Sequence, residues 1–147
     1  MHVRNEIDIA ASPDRVWAWL VRARGWPTWY PNSADVRLEG GGSELRAGTR
    51  FSWRTFSARL ASRVEEFDAP ARLAWSARGP GVDVYHAWLL TPMPAAACHV
   101  RTEESQYGGL ARFDHLLRPH RMSRGHQLWL ENLRARATGG PPPDDLK

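Results

Sequence analysis

A chain of 147 residues is the length of one domain with a sizeable core, and 42% hydrophobic with 24% charged residues is ordinary for a globular protein. The 20 basic residues, all arginine except Lys147, outnumber 16 acids, but they are scattered and form no run that would track a phosphate backbone, so no nucleic-acid partner is expected. One cysteine, Cys98, excludes an internal disulfide framework and a cysteine-built zinc site; the charged opening is no signal peptide and no window approaches a membrane span, so a cytoplasmic location is expected.

In chain order, residues 2–9 alternate apolar and polar side chains and read as an opening strand. Ser12 is placed to cap a helix and Pro13 to occupy its first position, with Val16, Trp17, Leu20 and Val21 on one face, so a short helix is expected over residues 13 to about 23. A second short helical turn, rich in aromatics, follows between Trp26 and Pro31. Residues 34–39 read as a strand, and the glycines after them as a flexible turn.

From Thr49 the period is two. A two-residue turn at Phe56 and Ser57 sets Trp53 opposite Leu60 and Phe51 opposite Ser62. A two-residue turn at Ala69 and Pro70 sets Val64 opposite Trp75 and Glu66 opposite Leu73. A four-residue loop over 78–81 sets Trp75 opposite Val84 and Leu73 opposite His86. A hairpin centred near Pro94 sets Trp88 opposite Val100, His86 opposite Thr102 and Val84 opposite Glu104, which makes His86 and Glu104 diagonal neighbours. All four hairpins agree on one inward face that carries Phe51, Trp53, Thr55, Glu66, Trp75, Val84, His86, Trp88, Thr102 and Glu104. The other face, rich in arginine and acids, reads as solvated.

After Gly108 and Gly109 the period lengthens. Leu110, Phe113, Leu116 and Leu117 share a helical face, Pro119 breaks the run, and Met122, Leu128, Trp129, Leu130 and Leu133 support a longer helix to about Ala137. Only the sheet is large enough to cover that helix. The expected organisation is one domain over residues 1–138 and a disordered tail over 139–147, rich in glycine and proline.

This α+β order resembles the helix-grip fold of the START-like superfamily, in its polyketide cyclase/dehydrase branch: a curved antiparallel sheet wrapped around a long C-terminal helix, with two short helices after the first strand. The segments that carry the likeness are I-x-I-x-A-S-P-D-R-V-W-x-W-L from Ile7, G-W-P-x-W-Y-P from Gly25, L-x-x-G-T-x-F-x-W from Leu45, V-x-E-F-x-x-P-x-R-L-x-W from Val64, E-E-S-Q-Y-G from Glu103 and H-Q-x-W-L-x-x-L from His126. The resemblance implies a cavity for a hydrophobic, aromatic or polyketide-like small molecule. It also implies either cyclisation with dehydration of that molecule or its non-catalytic carriage or sensing.

Such chemistry needs a base, a donor for an enolate and an acid for the departing hydroxyl. His86 and Glu104 are the expected catalytic pair, Glu104 orienting the imidazole or acting itself as base. The alternative is a core histidine hydrogen-bonded to Thr102. The expected ligand walls are Phe51, Trp53, Glu66, Trp75, Val84, Trp88 and Thr102 on the sheet, with Trp29 from the aromatic turn and Phe113, Leu117 and Arg121 from the helices. His120 and His126 are further candidates for the cavity mouth. No metal-binding spacing, phosphate loop or dinucleotide fingerprint occurs, so a cofactor-free monomer or homodimer is expected.

Overall fold

The computed structural model describes residues 1–144. Seven strands form one antiparallel sheet in the order β1-β7-β6-β5-β4-β3-β2: β1 His2–Ile9, β2 Ala34–Leu38, β3 Arg50–Thr55, β4 Ala58–Asp68, β5 Arg72–Gly79, β6 Val82–Met93 and β7 Ala97–Tyr107. Between β1 and β2 lie α1, Pro13–Val21, and a 3-10 helix, Ala23–Thr28; after β7 come α2, Gly109–Leu117, and α3, Arg121–Gly139. The expected helix-grip architecture is the one observed. Helix α1 starts where capping chemistry places it, with Ser12 Oγ accepting from the Arg15 amide at 3.3 Å and Pro13 in the first turn.

The sheet registers decide which side chains face α3. The β3–β4 turn at Phe56 and Ser57 has two residues, both at positive φ, and Trp53 pairs with Leu60 as expected. At β4–β5 the turn holds three residues, because Asp68 pairs with Arg72, and a bulge between Val64 and Glu66 absorbs the extra one. The one-residue shift corrects the expected place of Glu66. It pairs with Ala74 rather than Leu73, and its carboxylate reaches Arg72 Nε at 3.0 Å and the Tyr85 hydroxyl outside the sheet.

The β5–β6 turn has two residues, Pro80 and Gly81, not four, and Gly81 supplies the left-handed conformation at φ 67°. Trp75 therefore faces His86, and Leu73 faces Trp88. The β6–β7 loop is Pro94 to Ala96, so Trp88 faces Thr102 and His86 stands directly opposite Glu104. Both corrections move a register by two residues, which changes partners but not faces.

The space between sheet and α3 is filled at its centre by indoles. Trp129 of α3 packs edge-on to Trp26 and Trp88 and stacks on Tyr30 at 4.4 Å. Trp26 adds Phe51, Trp53 and Trp75 around it, and its Nε1 donates to Leu20 O at 2.9 Å. Residues 139–142, expected to begin a disordered tail, are instead held to α1. Trp19 Nε1 donates to Gly140 O at 2.8 Å, an Arg22 guanidinium nitrogen donates to Pro142 O at 3.1 Å, and Pro142 is buried. The last three positions of that expected tail, 145–147, lie outside the described residues.

Candidate active site

Beyond the indole core the sheet and α3 diverge, leaving a cavity of about 310 Å³ between the β3–β4 and β5–β6 turns, α2 and the first turns of α3. Trp53, Trp75, Val84, Glu104, Phe113 and Arg121, all expected at the ligand, line it. Others fill rather than line. Phe51 and Trp88 are buried in the core, Trp29 packs against Trp19 on the far side, and Thr102 lies beneath His86 with no exposed surface. Leu117 points into solvent, and Glu66 is on the opposite face of the sheet. Thr55, Phe56, Leu110, Met122, His126 and Trp129 line the cavity as well.

At the inner wall two buried imidazoles, from β6 and α3, converge on one carboxylate oxygen of β7. Glu104 Oε2 lies 3.0 Å from His86 Nδ1 and 3.2 Å from His126 Nε2, while Gln106 Nε2 donates to Oε1 at 2.5 Å. The two imidazoles are stacked with centroids 4.8 Å apart. Strand pairing places His86 across from Glu104, and α3 brings His126 over them, one turn beyond Met122. Gly125 makes that approach possible: a Cβ there would lie 2.4 Å from the Phe56 ring, which sits edge-on to His126.

Proton bookkeeping follows from the partners. A neutral imidazole has one donor and one acceptor nitrogen. His86 Nδ1 donates to Glu104, and its Nε2 lies 2.6 Å from the Thr102 hydroxyl, which also reaches Ala87 O at 3.3 Å. His126 gives its Nε2 proton to the same carboxylate, which leaves Nδ1 with a free lone pair. That atom is buried and has no hydrogen-bond partner. Thr55 Oγ1 and Trp129 Nε1, on two other cavity-lining residues, are also buried and unpaired. An acceptor, a hydroxyl and an N–H donor are thus left unmatched on three residues that line one cavity.

Burial is the largest influence on Glu104 and pushes its carboxyl up. The hydrogen bonds from His126 and His86 outweigh it and hold the carboxyl well below the usual carboxylate range. Burial pushes His86 below the usual imidazole value, against the pull of Glu104. The stable arrangement is an ionised Glu104 beneath a neutral His86.

Two histidines and a carboxylate are also a metal-ligand set, with donor atoms within 4.8 Å of one another. Ligands bonded tetrahedrally to zinc at about 2.1 Å lie roughly 3.4 Å apart. Glu104 Oε2 already lies closer than that to both imidazoles, at 3.0 and 3.2 Å, so an ion would have to push it away from them, and His126 Nδ1 lacks the outer partner a metal-bound imidazole normally has. The distances fit a carboxylate accepting two imidazole protons.

A curved sheet that grips one long helix over a cavity with a buried histidine–carboxylate cluster defines a helix-grip, START-like fold. The chain belongs to the family described as polyketide cyclase / dehydrase and lipid transport, whose model matches residues 1–138. It is similar to a hypothetical protein from Helicobacter pylori at 32% identity, covering 93% of this chain and 88% of that one with a TM-score of 0.85. It shares its fold with a Streptomyces aromatase/cyclase (16% identity, 94% and 93% covered, TM-score 0.77). A START superfamily protein from Mycobacterium smegmatis also shares it (10% identity, 94% and 97% covered, TM-score 0.72). No curated protein matches significantly. No helix among the described residues is long and apolar enough to cross a membrane.

Proposed function

We propose that this protein binds a flat, largely apolar small molecule in the cavity and cyclises it with loss of water, His126 acting as the proton-transferring group. The observation that carries this reading is the buried, unpaired Nδ1 of His126, a cavity-lining residue backed by an ionised Glu104, with Thr55 Oγ1 and Trp129 Nε1 on two other lining residues also unpaired. Nδ1 takes a proton from the carbon beside a ligand carbonyl. The resulting imidazolium is stabilised by Glu104, the enolate oxygen is met by the Thr55 or Trp129 donor, and the new carbon–carbon bond forms to a second carbonyl. The imidazolium returns its proton to the resulting alkoxide; Nδ1 then takes a second proton from the same carbon and delivers it to the hydroxyl, which leaves as water as the carbon–carbon double bond forms. His86 and Gln106 are positioning residues, because they hold the carboxylate without lining the reaction space in the case of His86 and through its far oxygen in the case of Gln106.

A volume near 310 Å³ lies at the small end of the roughly 300–1,000 Å³ typical of small-molecule sites, which favours a compact ring system. Incubating the protein with a small-molecule extract of its source cells, followed by mass spectrometry, tests the reading. A compound that loses water with wild-type protein should do so about 10²–10⁴-fold more slowly with His126→Gln, with binding changed only a few fold. A compound retained unchanged by both proteins would establish the carrier or sensor instead, a reading supported by the mainly apolar cavity wall.

A further inference from the structure

Helix α2 is amphipathic with its apolar side turned outward. Leu110, Phe113, Leu116 and Leu117 are 56%, 59%, 77% and 61% exposed, and Tyr107 just before them is 64% exposed. Five of the seven large hydrophobic side chains exposed among the described residues fall in this one stretch, so the exposure is concentrated rather than scattered. Around them stand Arg112, Arg118, Arg121 and Arg124, with Asp114 the single acid between residues 107 and 124. Asp114 pairs with Arg121 at 3.1 Å and Arg118 at 4.0 Å, while Arg112 and Arg124 are exposed and have no ion-pair partner among the described residues.

We propose that α2 is a docking edge for an anionic lipid bilayer. Leucine and phenylalanine side chains protruding from a short helix, flanked by arginines with solvent-facing heads, match a helix that lies in the membrane interface with its apolar side at the acyl boundary. A second copy of the chain is a poor occupant, because a two-fold contact would set the same arginines against one another. Leu110 and Phe113 also form the lip of the cavity, which puts the opening at the bilayer surface. Passage of an apolar ligand from lipid into the cavity follows if the proposed function holds; the docking does not depend on it.

Sedimentation with phosphatidylcholine vesicles, with and without phosphatidylglycerol, tests the surface. The full chain should bind the anionic vesicles only, and more weakly as salt rises. Leu116→Ser with Leu117→Ser should lower binding about tenfold or more, and Arg112→Glu with Arg124→Glu should do the same. None of these four residues lines the cavity, so uptake of a fluorescent apolar probe without vesicles should be unchanged. Absence of binding to anionic vesicles, or equal binding by the variants, overturns the proposal. So does light scattering that finds a dimer dissociated by the leucine substitutions, which would make the occupant a second copy. A wild-type cavity that takes up no probe would instead defeat the ligand reading, with vesicle binding still decided by its own measurement.

Discussion

Glu104 gives one oxygen to two imidazoles and the other to Gln106, so its replacement disturbs three partners at once. Glu104→Gln keeps one acceptor but sets an amide N–H among donors, and should cost about 1–3 kcal/mol in urea unfolding. Acid should destabilise the wild type in two stages. His86 is held below its ordinary value, so the unfolded chain binds that proton first; stability falls as pH drops through the ordinary histidine range near 6.5. Glu104 is likewise held low, so a second loss follows below its ordinary value near 4.5. Melting temperature against pH reads both, and His86→Gln should diminish the first. The pair His86 and Glu104 was legible from strand parity, but the role of His126 was not drawn from the sequence. Helical spacing held the signal, since His126 lies four residues from both Met122 and Leu130 and so belongs to the apolar face.

Faces were legible at the level of the elements because a strand's side-chain period is two. The β5–β6 and β6–β7 registers were misjudged, yet each error was a shift by two, and His86, Trp88 and Glu104 kept their sides. Glu66 was misplaced because a bulge shifts by one, and nothing in the run of residues 64–68 marks where it falls. Glu66→Gln should therefore leave ligand affinity and turnover unchanged, checked by the same mass-spectrometric assay. The close approach of Phe56 to α3 at Gly125 predicts a different outcome for Gly125→Ala. The displaced atoms are the far end of one side chain and alanine favours helix, so stability should change by no more than about 1 kcal/mol. The Phe56 ring must move, and ligand association at the cavity mouth should change in stopped-flow binding while unfolding does not.

For the whole molecule, five of the eight tryptophans, Trp26, Trp53, Trp75, Trp88 and Trp129, fill one part of the space between sheet and α3 and leave another open. Composition announced the aromatic wealth but not the division, which depends on how α3 lies across the sheet. Trp53 stands at the boundary, packed on Trp26 and lining the cavity. Trp53→Ala should cost about 3–5 kcal/mol and enlarge the cavity, so bulkier ligands should bind with smaller loss than compact ones in calorimetry. The apolar face of α2 was also legible, but periodicity shows only that a helix has such a face and not whether the fold covers it. The account rests most directly on the proton pattern of the buried cluster. Nitrogen-15 spectra of histidine-labelled protein at neutral pH should show His126 protonated on Nε2 with a free Nδ1 that shifts when a cavity ligand is added. Protonation of Nδ1 in the ligand-free protein would contradict it, because His126 would then have no lone pair to offer.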